Sequence, residues 1–145
     1  MDVRIVDIPF HLQIHGFSGM AMNKNYAETA FTLSGKLWQT VRTWGLKTKG
    51  MNVWVYEPGE NVFAGVELEE PVGKYIGLEE KTIQLANYAY YKHIGSYKMI
   101  KVVGNEMRSV LKRKGIRTIL PYIEIYGHWS EDETRLETEL LMAVC

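Results

Sequence analysis

The chain has 145 residues, 46% of them hydrophobic, enough for one domain with a full core and room for an internal cavity. Seventeen basic residues balance seventeen acidic ones and the isoelectric point lies near 6.9, so no net field draws the protein to nucleic acid. The lone cysteine, Cys145, excludes an intramolecular disulfide framework and cysteine-rich zinc sites; the acids Asp2 and Asp7 and the lack of any long apolar run leave neither a signal peptide nor a membrane span, which implies a cytoplasmic protein.

In chain order, Val3 to Ile8 and His11 to His15 alternate loosely around Pro9 and read as one bent strand or two short ones, ended by Gly16 and Gly19. Asn25, with Glu28 three residues on, offers a capping-box start. Ala30, Leu33, Leu37, Trp38, Val41 and Trp44 then recur at helical spacing up to Gly45, which predicts a helix over about 26–44. Met51 to Glu57 reads as a strand, Pro58 to Asn61 as a turn and Val62 to Glu69 as the antiparallel return. Pro71 to Gly77 and the charged Glu79, Glu80 and Lys81 read as a connection.

The pattern then repeats. Ile83 to Ile94 is an apolar and aromatic strand closed by Gly95, and Ser96 can cap a helix over about 97–114. Its stripe is Ile100, Val103, Met107, Val110 and Leu111, and Gly115 ends it. Tyr122 to Tyr126 is a strand, His128 to Glu133 a polar turn and Arg135 to Val144 the return. The expectation is a single α+β domain of two β-α-β-β halves, about 1–70 and 78–145, in one antiparallel, barrel-like sheet with two main helices.

The halves agree in register. Nine residues lead from Gly45 to Trp54 and nine from Gly115 to Glu124, so Val53-Trp54-Val55-Tyr56 overlays Ile123-Glu124-Ile125-Tyr126. Val66 to Leu68 overlays Thr138 to Leu140 if the second hairpin has two extra residues. Two such halves pack about a pseudo-twofold axis, and their interface is a natural place for a cleft. At a strand's period of two, Tyr122, Glu124 and Tyr126 share one face and Ile123 and Ile125 the other. A carboxylate among aromatics must reach water, find a cation or become protonated, because desolvating a charge is costly. A solvent-facing glutamate on an edge strand is the plain alternative. Trp54 and Glu124 facing one cleft would offer an aromatic plane and a carboxylate, which suits an organic cation. The expected ligand-binding residues are Glu124, Tyr126, Trp54 and Tyr90, with Trp38, Tyr122, Glu139 and Trp129 as neighbours; Tyr90 enters because its strand should pair beside the central one.

Tyr90 to Tyr97, Ile123-Glu124-Ile125-Tyr126 and Glu139 to Val144 together resemble the GyrI-like family of AraC-type effector-binding domains, over nearly the whole chain. The resemblance implies a ligand-binding domain with a hydrophobic cavity, in which Glu124 is the counter-ion for cationic, lipophilic, multidrug-type molecules. It also implies relatives fused to DNA-binding helices and others that stand alone, one similar to a gyrase inhibitor, and a branch that hydrolyses reactive alkylators. This chain has no helix-turn-helix of its own, so a part in transcription regulation would need a separate partner.

No metal or cofactor is expected. His11 and His15 would stand roughly 13 Å apart along a straight strand, and no P-loop, dinucleotide glycine fingerprint or nucleophile elbow occurs. Lys112-Arg113-Lys114 suits a solvated helix C-terminus better than a nucleic-acid contact. Three function classes stay open: a binding module for amphipathic cations with no catalytic residue, a hydrolase using Glu124 or Glu139 as general base, and a gyrase-inhibitor-like regulator that binds a protein partner or pairs with a second copy of the chain. Direct nucleic-acid binding and membrane association are not expected.

Overall fold

The computed structural model describes residues 1–70 and 77–145; the connection expected from Pro71 falls, as far as residue 76, outside them. The elements are β1 (Arg4–Val6), β2 (Phe10–Met20), α1 (Tyr26–Trp44), β3 (Thr48–Glu57), β4 (Asn61–Leu68), β5 (Glu79–Leu85), β6 (Tyr88–Ile94), α2 (Ile100–Arg113), β7 (Thr118–Tyr126) and β8 (Glu137–Val144). The strands form one antiparallel sheet in the order β1-β6-β8-β7-β3-β4-β2-β5.

That order is symmetric about the β7–β3 pair. The β6-β8-β7 half mirrors β2-β4-β3, and each half receives as its outermost strand the leading strand of the other, β1 beside β6 and β5 beside β2. The sheet curls without closing. Phe10, at the start of β2, meets Tyr88, at the start of β6, edge to face with ring centroids 5.8 Å apart, while β1 and β5 remain at opposite ends of the strand order.

Both helices cover one face. Leu37 and Val41 of α1 pack on Phe17 and Val66; Ile100, Val103, Met107 and Leu111 of α2 pack on Ala89, Tyr122, Leu140 and Met142. The other face is the inside of the curl, filled by Ile14, Val53, Val55, Phe63, Ile83, Ile123, Ile125 and Leu141. α1 spans the expected residues and ends on Gly45 in the left-handed region (φ 61°), where a side chain would be strained.

Several local expectations change. β2 runs through Gly16 and Gly19 to Met20, because Gly16 marks a close backbone approach: an added Cβ would lie 1.9 Å from the Ala64 oxygen. Asn25 is the N-cap of α1, but its side chain makes no capping bond; its carbonyl instead accepts from the Thr29 amide and hydroxyl. The second helix opens as a short 3₁₀ turn, Tyr97–Met99, with the Lys98 amide donating to Ser96 Oγ. Glu79 to Lys81 belong to edge strand β5, and the run Ile83 to Ile94 bends at Ala86 and Asn87 into two strands in opposite halves of the sheet. Leu85 stays buried and Tyr88 packs on the inner core on either side of that bend, which exposed Asn87 alone marks in the sequence.

Hairpin registers also differ from expectation. Trp54 pairs with Ala64, ten residues on, and Glu124 with Leu140, sixteen residues on. The second hairpin therefore holds six extra residues, not two, and Val66 corresponds to Met142 rather than to Thr138. The extra residues lie in the loop between Tyr126 and Glu137, and the alternation of the return strands reads alike at either register because the two differ by an even number of residues.

Candidate ligand-binding site

Trp54 and Glu124 are direct cross-strand partners on the central β3–β7 pair, with Tyr56 opposite Tyr122 and Asn52 opposite Tyr126. The strand period turns these side chains toward the helices. Glu124 is only 7% exposed, and it is not on an edge strand. Tyr56 Oη and Tyr126 Oη donate to its Oε1 at 3.0 and 2.8 Å, and Tyr122 Oη donates to Oε2 at 2.7 Å. An ionised carboxylate only accepts and has about four lone-pair positions, so three phenols fill most of its capacity.

Those phenols are held by further aromatics. Tyr56 and Tyr122 stack at 5.6 Å and 16°, and the edge of Tyr26 from α1 meets Tyr56 at 5.8 Å. Tyr126 lies between Trp54, at 4.8 Å and 59°, and Tyr97, at 5.2 Å and 88°. Burial raises the pKa of Tyr56, Tyr122 and Tyr126 well above the ordinary phenol range, and the Glu124 charge raises it further. They are neutral donors at any physiological pH. Among the described residues no Lys, Arg or His forms an ion pair with Glu124. Arg108 spends its charge on the ring of Tyr122, 4.9 Å from the centroid.

The pseudo-symmetry extends to these supports. Residues 70 apart are equivalent, as Gly45 and Gly115 are. Trp38 and Asn52 in one half thus match Arg108 and Tyr122 in the other: the first pair is joined by a Trp38 Nε1–H donating to Asn52 Oδ1 at 2.5 Å, the second by the guanidinium–ring contact. Trp38 therefore stands behind Asn52, beside the cluster.

Of the residues singled out from the sequence, Glu124, Trp54, Tyr122 and Tyr126 come together and Trp38 flanks them. Tyr90 and Glu139 do not join them. Tyr90 pairs with Leu141, which pairs with Ile123, so it belongs to the inner face; β8 intervenes between β6 and the central strand. Tyr90 donates to Glu139 Oε2 at 2.6 Å. Burial and this bond push Tyr90 up to about 12, against the opposing charge of Arg4, whose guanidinium lies 5.0 Å from the ring. Trp129, in the loop after β7, is 73% exposed. Tyr56, Tyr26 and Tyr97 were absent from the expected set. Tyr56 was accessible through its overlay on Tyr126 and its parity with Trp54. Tyr26 and Tyr97 precede the helical stripes, and only the packing of the helix starts onto the sheet brings them in.

Among the described residues no helix is long and apolar enough to cross a membrane. No curated protein sequence matches the chain significantly. Its fold is shared with a structure of SAV2435 bound to tetraphenylphosphonium, 16% identical with a TM-score of 0.67, over 100% of this chain and 94% of that one. The EcmrR C-terminal domain is similar at 16% identity and a TM-score of 0.75, over 99% and 97% of the two chains. A hydrolase from Listeria innocua is similar at 10% identity and a TM-score of 0.58, over 99% and 91%. The family model for the GyrI-like small molecule binding domain matches residues 1–144, and the chain belongs to that family.

Proposed function

We propose that this domain binds lipophilic aromatic cations on the helix-covered face of the sheet, with Glu124 as counter-charge and Trp54, Tyr56, Tyr122 and Tyr126 as walls. One observation carries the reading: Glu124 is 7% exposed, yet among the described residues its hydrogen-bond partners are all neutral phenols. Folding has already met the cost of dehydrating that carboxylate, so an entering cation loses little on the protein's side. At about 4 Å and an effective dielectric of 20 the pair gains on the order of 4 kcal/mol before the ligand's own desolvation is subtracted. Each aromatic face in contact adds roughly 0.5 to 2 kcal/mol. Apolar walls set no single shape, so binding should be broad and of micromolar order, about −8 kcal/mol. The cation in the SAV2435 structure, on the same fold, supports the reading.

The neighbour named a hydrolase keeps the alternative in view. Here Glu124 and Glu139 leave opposite faces of the sheet and cannot act on one substrate from both sides, and the Glu124 oxygens are occupied by phenols. Glu124→Gln tests both readings. Calorimetric titration with a rhodamine-type dye is expected to show at least about tenfold weaker binding, or about 1.4 kcal/mol, with a neutral analogue of the same size nearly unchanged. Equal losses for both ligands would make Glu124 a support of the fold; ligand turnover abolished by the substitution would move the assignment to a hydrolase.

A further inference from the structure

Among the described residues three buried side-chain polar atoms have no hydrogen-bond partner: His15 Nδ1, Trp54 Nε1 and Thr138 Oγ1. Their demands differ. A histidine nitrogen and a hydroxyl can donate or accept, whereas an indole N–H only donates. His15 belongs to β2, its other ring nitrogen 3.7 Å from Glu80, away from the central pair. Trp54 is the cross-strand partner of Glu124, and its ring packs on Tyr126.

Burying an indole N–H without an acceptor destabilises the fold, and such groups are rare in native structures. The same residue type nearby is treated differently. Trp38 has its acceptor in Asn52 Oδ1. For Trp54 the adjacent acceptor is Glu124, but three phenols already donate to that carboxylate. Among the described residues the domain thus keeps an unused donor beside a carboxylate that has no cationic partner, inside one aromatic cluster.

We propose that Trp54 reads a neutral acceptor on the bound cation. The ligands then form a narrower class than lipophilic cations at large: aromatic cations that carry a carbonyl, ether or ring-nitrogen acceptor on their periphery. The charge is met by Glu124 and the acceptor by the Trp54 N–H, so two points orient a molecule that apolar walls alone would leave free to turn. The proposal rests on the cation-binding reading above.

The test uses ligand pairs matched in charge and shape: (acetylphenyl)triphenylphosphonium and (isopropenylphenyl)triphenylphosphonium, each as ortho, meta and para isomers. They are titrated calorimetrically into the full chain, into Glu124→Gln, and into a variant in which 3-benzothienylalanine replaces Trp54, sulfur standing for the N–H in the same ring outline. At least one ketone is expected to bind about tenfold more tightly than its alkene partner, and in the benzothienyl variant the two members of that pair are expected to bind alike, whatever their common affinity. Because the N–H has no partner among the described residues of the free protein, the benzothienyl variant should melt no lower than the wild type. A lower melting temperature would show an internal partner and overturn the proposal. So would equal affinities in all three pairs, or a preference that survives loss of the N–H; if Glu124→Gln still weakened every cation in those cases, the cation reading would stand alone. Failure of all six phosphonium ions to bind would overturn both.

Discussion

At Glu124 the hydroxyls and the rings of the surrounding tyrosines do different work. Each hydroxyl satisfies a buried charge; each ring fills the space between sheet and helices. Tyr122→Phe keeps the ring stacked on Tyr56 and removes one donor, so urea unfolding should show a loss of about 1–3 kcal/mol, and an unchanged midpoint would mean that the hydroxyl is dispensable. The raised tyrosine pKa values also carry a sign. In the unfolded chain a tyrosine releases its proton near 10, while Tyr56, Tyr122 and Tyr126 hold theirs to higher pH in the folded state. The stabilisation is complete below pH 10 and declines as pH rises, by about 1.4 kcal/mol per pH unit for each such tyrosine. Tyr90 stops contributing to the decline near its own folded value of about 12. Urea midpoints taken from about pH 9 to about 11 should fall steeply, and less steeply in the Tyr56→Phe/Tyr122→Phe double variant. Parallel curves would contradict this account.

At the scale of elements, β2 is the strand under most constraint. It pairs with β5 over Phe10 to Gly16 and with β4 over His15 to Met20, so Gly16 faces Glu79 on one side and Gly65 on the other. A Cβ at Gly16 would meet the Ala64 oxygen and the Gly65 Cα at 1.9 and 2.7 Å, both backbone atoms that cannot step aside. Gly16→Ala should cost about 3 kcal/mol or more, at the upper end of overpacking effects. Gly35 in α1 offers the contrast: nothing lies within 4 Å of its added Cβ, and Gly35→Ala should stabilise by about 1 kcal/mol through helix propensity alone. Chemical denaturation of the two variants side by side checks both signs.

For the molecule as a whole, the exchange of leading strands makes each half incomplete. The sheet of the second half ends on β1 from the first, and Val3 just before β1 is buried in the core under α2. Part of the Glu124 cluster, Trp54, Tyr56 and Tyr26, also lies across the axis. Residues 77–145 expressed alone should therefore remain unfolded, and the full chain should unfold in a single calorimetric transition. Two separable transitions would show halves that fold independently. A bound aromatic cation at one hundred times its Kd should add about 2.7 kcal/mol to that transition.

The duplicated β-α-β-β pattern, the extent of α1, the glycine helix stops and the matched positions of Trp54 and Glu124 were determined by the sequence itself, because helical stripes, strand parity and turn residues are local. Parity alone also put Tyr122, Glu124 and Tyr126 on one face. What tertiary structure decided was everything that depends on which strand lies beside which. Tyr90 and Glu139 went to the inner face because the strand registers set Glu139 opposite Ile125 and Tyr90 opposite Leu141, pairings no periodicity contains. Tyr26 and Tyr97 entered the cluster because helix starts pack onto the sheet, and the six extra residues of the second hairpin lie in the loop before Glu137, an even number that leaves strand parity unchanged. Whether Glu124 faced water or was buried turned on the same pairing: long-range contacts made β7 a central strand, and burial under aromatics left its carboxylate with phenols for partners and, among the described residues, no ion pair.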